Sequence, residues 1–327
     1  MEHGLSFDPD NPQTSDDDAV TVFQLDGRPV RGRMARMGLS ADVILGAHDY
    51  PVSVARLVGE AVLLAVLIGD SLKFEGKLII QASGAGSQGQ NVQGSGAVAF
   101  VVADYVPGEG VRAYAKYDAE RVKTLESVQG GSVGVDMLLG GGHFVMTIDQ
   151  GDGTDRYQGV TEIVGDSLAQ SAEHYFAQSE QVPTRVKLSV GQLVGDEGSQ
   201  RWRAGGALIQ RIAGDDARGD AHEDFEHAQA LFETIAPDEL IDPVVTGSRL
   251  LYRLFHEDGV RVEASRAVMR RCTCEETRLK ELLARFPTED RQHMSRDDGT
   301  VAMTCEYCNR EWSFSAADID AVARAND

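Results

Sequence analysis

The chain has 327 residues, 42% of them hydrophobic, which suffices for one large domain with a real core and a smaller second one. Its formal charge of −21 disfavours nucleic acid as a partner, because a phosphate-binding surface draws its affinity from Lys and Arg. The longest unbroken apolar run, Ala61 to Ile68, falls well short of the roughly 20 residues that span a bilayer, so no membrane segment is expected.

Residues 1–18 are polar and acidic, with Asp8, Asp10 and Asp16 to Asp18, and are predicted to form a disordered tail. They hold neither the basic n-region nor the apolar h-region of an export signal, so a cytoplasmic location is expected. Residues 19–216 carry strand-like segments separated by turn residues: Ala19 to Leu25, Leu72 to Ala82, Ala97 to Tyr105, Val111 to Tyr117, His143 to Asp149, Tyr157 to Val164, Thr184 to Val190 and Arg203 to Ile212. Helical patterns interrupt them. Ser53 to Ile68 is rich in Ala, Leu and Val and reads as a buried helix, and Ser167 to Glu180 reads as an amphipathic one that stops before Pro183. With hairpin-like spacing in its middle, this mixture predicts an α+β N-terminal domain on a mainly antiparallel sheet.

Gly84-Ala85-Gly86-Ser87-Gln88-Gly89 matches the dinucleotide-binding fingerprint and follows a strand, but that fingerprint needs a helix opening at its last glycine. Gln90 to Val102 reads instead as a loop running into a strand, so a long hairpin loop is expected. Gly140 to Gly142 reads as a turn. His48, His143, His174 and His293 have no partner pattern, and neither G-x-S-x-G nor H-E-x-x-H occurs, so nothing supports a hydrolase.

After Ile212 the chain changes character. Residues 219–248 hold eight acidic side chains and no Lys or Arg, within a stretch, 217–265, predicted to be a helical linker. Phe225, Ala228, Phe232 and Ile235 fall at spacings of three and four, a narrow apolar stripe on a short acidic helix that ends before Pro237. A second amphipathic stretch runs from Leu250 to Phe255. Such a stripe suits a helix packed permanently on its own domain. It equally suits a linker that docks weakly and lets go, because a short helix alone is marginal in water. On that second reading Phe225, Phe232 and Ile235 gate the activity.

All four cysteines lie in one 37-residue window of the last segment, 266–327: Cys272 and Cys274 as C-x-C, Cys305 and Cys308 as C-x-x-C. Each pair puts two sulfurs within reach of one point, and four thiolates converging on a point suit tetrahedral Zn²⁺. One Zn²⁺ per chain, held by all four, is therefore expected, which leaves His293 between the pairs as a surface residue. Clustering argues against ordinary buried thiols, and a constitutive pair of disulfides would need an oxidising compartment. Glu275 to Arg285 reads as a helix, Thr300 to Thr304 and Glu311 to Phe314 as strands flanking the second pair, and Ala316 to Ala325 as a helix capped by Ser315. So small a unit has a weak core, and bound zinc would supply folding free energy on the order of 10 kcal/mol.

Two further functions compete at this point. One is a zinc-ribbon nucleic-acid or adaptor module, against which 10 basic and 12 acidic side chains over 266–327 leave no basic stripe. The other is a thiol oxidoreductase working through Cys305 and Cys308, which would normally set C-x-x-C at a helix start.

The C-x-C followed at 30 residues by C-x-x-C has company elsewhere in the chain. Together with His48-Asp49-Tyr50-Pro51, Leu72-Lys73-Phe74-Glu75-Gly76, Arg156-Tyr157-Gln158-Gly159-Val160 and Tyr175-Phe176-Ala177-Gln178-Ser179-Glu180-Gln181-Val182-Pro183-Thr184-Arg185, it resembles the 33 kDa chaperonin family, the redox-regulated heat-shock holdases of bacteria. The resemblance covers about Ala19 to Ala325; the acidic tail and the extra glycine-rich length depart from it. It implies an ATP-independent chaperone, not an enzyme, that binds unfolding proteins and prevents their aggregation under oxidative stress. It implies a reduced, zinc-bound, inactive state, and activation by disulfides joining Cys272 to Cys274 and Cys305 to Cys308, with zinc release, linker unfolding and commonly a homodimer. The fold it implies is an N-terminal α/β domain, a helical linker and a C-terminal zinc domain.

Overall fold

The computed structural model describes residues 17–71, 76–85, 96–151, 155–194, 198–212 and 221–325. Two compact units divide the chain, 1–270 and 271–327. In the first, β1 (Ala19–Leu25) and β2 (Val30–Met37) form a hairpin, followed by α1 (Leu39–Leu45) and α2 (Val52–Gly69). Next come β3 (Lys77–Gly84), β4 (Val98–Val106), β5 (Gly110–Tyr117), α3 (Ala119–Gln129), α4 (Val135–Leu139), β6 (Gly142–Asp149) and β7 (Tyr157–Glu162). α5 (Leu168–Tyr175) runs into a π-helical turn, Phe176–Glu180, and β8 (Thr184–Val194) and β9 (Gln200–Arg211) make a long hairpin. The unit closes with α6 (Ala221–Glu233), α7 (Pro237–Ile241), α8 (Gly247–Phe255), β10 (Val260–Val262) and β11 (Arg266–Ala267).

These strands build two antiparallel sheets, ordered β10-β1-β2-β9-β8 with β11 also on β1, and β5-β4-β3-β6-β7. The architecture is α+β, as the strand spacing predicts. α2 lies between the sheets and packs on both, with 83% of its length buried. By length and composition this helix could cross a membrane; the apolar pattern that reads as a short run extends over 18 residues because Ser53, Gly59 and Gly69 are buried along with the aliphatic residues. Its apolar surface is instead the core of the unit, where burial on both sides favours a near-uniform aliphatic composition.

A half-buried carboxylate borders that core. Glu60 on α2 accepts hydrogen bonds from the Leu168 N–H (2.7 Å) and the Ser167 hydroxyl (3.0 Å) at the start of α5. Burial raises its carboxyl to about 7 against these two bonds. A folded state that holds the proton more tightly than the unfolded chain loses stability as pH rises, here between the ordinary glutamate range and about 7. Glu60→Gln keeps an acceptor oxygen for both donors and removes the charge. It should raise stability by about 3 kcal/mol at pH 8 and leave it nearly unchanged at pH 4.5. Urea unfolding of both proteins across that range checks this, and parallel pH curves would contradict it.

Every strand predicted before Ile212 finds its counterpart, but the sequence missed β2, α1, α3 and α4. β2 is hidden by Arg31, Arg33 and Arg36, yet it runs through the middle of its sheet with Arg33 and Arg36 buried. The predicted strand from Leu72 begins at Lys77, and Leu72 to Glu75, Gly86 to Gly89 and residues 1–16 lie outside the described residues. Asp17 and Asp18, assigned from sequence to the acidic tail, belong to the fold: Arg203 donates to Asp17 (2.9 Å), and the Ser40 N–H donates to Asp18 (2.9 Å). Residues 266–270, assigned to the C-terminal segment, belong to the first unit: Arg266 and Ala267 pair with β1, Val268 is completely buried, and Arg270 bridges to Val111 on β5, so the second compact unit begins at Arg271.

That second unit holds α9 (Glu276–Ala284), α10 (Thr288–Met294), a hairpin of β12 (Thr300–Thr304) and β13 (Glu311–Ser315), and α11 (Ala316–Ala325). α11 is capped as predicted, with the Asp318 N–H donating to the Ser315 hydroxyl (3.2 Å), whereas α10 was not predicted. Its buried core is Leu283, Val301, Phe314 and Ile319. Such a core is small for independent folding.

Candidate metal centre and helical cover

The cysteines approach one another from two places in the second unit. Cys272 and Cys274 precede α9, and Cys305 and Cys308 form a knuckle between β12 and β13. The knuckle is closed by the Asn309 N–H donating to the Cys305 carbonyl (2.8 Å) and the Cys305 N–H to the Arg310 carbonyl (3.0 Å). Asn309 takes positive φ (55°), which asparagine tolerates better than most residues. The tight turn aims the sulfurs of Cys305 and Cys308 the same way, and Cys272 and Cys274 lie within 3.1 Å of each other at Sγ.

All four sulfurs lie within 4.8 Å of one another, and the thiols are free. Sγ–Sγ separations are 3.1 Å for Cys272–Cys274, 3.7 Å for Cys272–Cys305 and 3.4 Å for Cys274–Cys308. A tetrahedral zinc with Zn–S bonds of about 2.3 Å has sulfur edges of about 3.8 Å. The four sulfurs thus fit the ion with little movement, and soft thiolates suit zinc in particular. Burial raises the Cys272 thiol, but hydrogen bonds from Cys274, Cys308 and Cys305 outweigh it and bring the group down to about 7. Burial, with the neighbouring sulfurs, pushes Cys274 up. One proton leaves this cluster readily and the next leaves against the charge created, so a cation is what allows all four to ionise together. His293 stays outside the cluster, its Nδ1 2.7 Å from the Glu289 carbonyl on its own helix.

The stripe residues lie in the first unit. Phe225, Ala228, Phe232 and Ile235 are all buried, at 4% exposure or less, with Leu240, Leu250, Leu251, Leu254 and Phe255 from α7 and α8. They cover Phe23, Leu25, Val30, Met34, Ala207 and Ile209, an apolar face of the first sheet. Phe23 and Phe255 stack at 5.9 Å between centroids. Phe23 lies flat across Gly32, where a Cβ would sit 2.1 Å from its ring, so only glycine lets the ring down onto the sheet.

Polar anchors that the sequence did not disclose fasten this cover. Lys187 on β8 donates to the Ile235 carbonyl (2.9 Å) and the Glu233 carbonyl (2.5 Å), at the end of α6. Arg203 donates to the Ile241 carbonyl (2.8 Å), and Arg36 to the Glu239 and Asp242 carbonyls, around the end of α7. Each cation satisfies carbonyls that a helix C-terminus leaves unpaired and sits at the negative end of its dipole. Not all of the segment's carboxylates are loose: Arg28 bridges Asp224 (2.5 Å) and Asp258 (2.8 Å), and Arg253 pairs with Glu239.

Comparison with known proteins places these features in context. The family model described as "Hsp33 protein" matches residues 18–315. A 33 kDa chaperonin from Caulobacter vibrioides is 51% identical over 296 residues, covering 90% of this chain and 93% of that protein. One from Shewanella loihica is 33% identical, covering 93% of this chain and 95% of the relative. The crystal structure of a 33 kDa chaperonin, a heat-shock protein 33 homologue from Thermotoga maritima, shares the fold with a TM-score of 0.75 at 22% identity, covering 94% of this chain and 99% of that one.

Proposed function

Because the chain belongs to the Hsp33 family, whose relatives are named chaperonins, we propose that it is an ATP-independent holdase, silent when reduced and activated by oxidation. The observation that carries the redox part is the convergence of four free sulfurs on one point in a unit whose buried core, among the described residues, is four side chains. Cys272, Cys274, Cys305 and Cys308 would hold one Zn²⁺, which when bound supplies the folding free energy that this core lacks.

The chain's own residues carry the switch. Oxidation joins two pairs of thiolates, each pair passing two electrons to the oxidant, and disulfide sulfurs are no longer ligands. The sulfur distances favour neither neighbour pairing nor cross pairing; the family resemblance implies Cys272 with Cys274 and Cys305 with Cys308. A second unit without its ligands unfolds. With it goes the restraint on the chain that follows β11, and the cover of α6, α7 and α8 lifts from the sheet. Phe225, Phe232 and Ile235 are the gating contacts, and the face bearing Phe23 and Ile209 then takes apolar segments of unfolding proteins. Active chains associate in pairs and work in the cytoplasm.

An aggregation assay tests this reading. Light scattering of a heat-unfolding protein should be suppressed by oxidised protein and not by reduced protein, without ATP. Equal suppression by both forms would overturn the redox switch, and none by either would overturn the chaperone.

A further inference from the structure

Asp70 is a buried charge with no part in the switch described above. It caps the C-terminus of α2, where the helix dipole is negative and a carboxylate is disfavoured. Its side chain is 0% exposed, and neither oxygen accepts a hydrogen bond from a described residue. Tyr105 of β4, itself buried, packs on the same helix end, where a Cβ on Gly69 would sit 2.7 Å from its ring. The charges that face Asp70 are Arg31 and Arg33 of β2, Glu263, and Arg266 of β11. Arg266 comes close, with Nη2 3.0 Å from Oδ2, yet it is not oriented for a hydrogen bond. Arg33 is buried too, and its own Nε lacks a partner among the described residues. Burial outweighs these cations and raises the Asp70 carboxyl above its ordinary range.

Arg266 opens a short strap, residues 266–270, that joins the two sheets. Arg266 and Ala267 pair with Val20 and Ala19 of β1. The Val268 N–H donates to the Asp18 carbonyl (2.7 Å), and the Ser40 hydroxyl donates to the Val268 carbonyl (3.1 Å). On the other sheet, the Val111 N–H of β5 donates to the Met269 carbonyl (2.9 Å). Val268 is buried, whereas Arg266, Ala267, Met269 and Arg270 are exposed. A segment held by so few contacts opens locally at low cost.

We propose that residues 266–270 are a spring-loaded strap: closed, they tie the two sheets together and shut Asp70 away from water, and the carboxylate left there without a hydrogen bond drives them open. An ion kept from water without hydrogen bonds costs more than one nearby cation returns. Opening hydrates Asp70, at the expense of the Val268 contact and the backbone bonds at Val268 and Val111. The closed state holds the Asp70 proton more tightly than the open one, so rising pH promotes opening and acid suppresses it. The strap leads directly into Cys272, which makes it the point where the first unit receives a change in the cysteine segment. This switch stands apart from the chaperone reading, since its readout is backbone opening alone.

Hydrogen exchange at the Val268 and Val111 amides of the reduced full chain, corrected for intrinsic rates, tests it between pH 5 and pH 8. Wild-type opening should rise about tenfold over that range. Asp70→Asn removes the charge and keeps the size; it should open about tenfold less at pH 8 and lose the pH dependence. Arg266→Gln should open about tenfold more at pH 8 when Asp70 is present and change little in the Asp70→Asn background. Faster exchange in Asp70→Asn than in wild type would make the ion pair a clasp and overturn the spring. An equal effect of Arg266→Gln in both backgrounds would overturn it as well. So would wild-type opening that does not vary with pH, a result that needs no variant to fold.

Discussion

Reduced Cys305→Ser is expected to bind no zinc and to lose the fold of residues 271–327, while 17–270 stay intact. Among its described residues the second unit has a core of Leu283, Val301, Phe314 and Ile319, with Leu279, Ala284, Met303 and Trp312 half-covered against them. Burying such side chains contributes roughly 1.5–3 kcal/mol each, and ordering each residue costs about 1.5 kcal/mol. Some fifty residues therefore cannot be held by this core alone. A structural zinc contributes on the order of 10 kcal/mol, and a serine hydroxyl replaces one of its four thiolates poorly. Metal analysis together with hydrogen exchange over α9, α10 and α11 checks the expectation, and chelation of the wild type should give the same exchange pattern. A mutant that retains one zinc, or that protects these helices without it, would show that the core suffices. Peptide mapping of oxidised wild type resolves the pairing, and a dominant Cys272–Cys305 bond would contradict neighbour pairing.

The parts of this molecule that could be read from its sequence are those whose physical cause is local. Two sulfurs two or three positions apart must point at nearly one place, so the centre at Cys272, Cys274, Cys305 and Cys308 was visible from spacing alone. The alternating strands β4 and β6 were visible for the same reason, and so was the stripe of α6. What escaped depends on distant partners. β2 reads as a basic coil until Arg36 is seen to reach the Glu239 carbonyl, 203 positions away, and until Arg33 is seen to share a buried region with Asp70. α3 offers one fully buried residue, Val122, so periodicity gives little sign of it beyond the Asp118 cap. Lys187 and Arg203, which fasten the cover, carry no local signature, because their acceptors are backbone carbonyls of other elements.

Those anchors sharpen what a single substitution in the cover should do. Phe232→Asp is expected to yield a chaperone that works without oxidant while its zinc stays bound. The Phe232 ring is 1% exposed within the cluster of Phe225, Leu250 and Phe255 over the sheet. Truncating a ring so placed costs about 3–5 kcal/mol, and a carboxylate in its place must leave the apolar layer or stay unpaired at further cost. α6 has 13 residues, marginal for a helix without tertiary contact. Against the loss stand the Lys187 bonds to Glu233 and Ile235 and the Arg28 bridge to Asp224, each worth about 1 kcal/mol in partly exposed surroundings. The balance favours release of α6, which uncovers Phe23, Met34 and Ile209. The cysteines belong to the other compact unit, so their metal content should not change. Proteolysis at residues 219–248, aggregation suppression and zinc content, all on reduced protein, check each step. A mutant with a protease-sensitive segment and full zinc that still fails to hold clients would move the client site away from this face. The masking would then lie with the second unit, and Cys305→Ser, which melts it, would activate where Phe232→Asp does not.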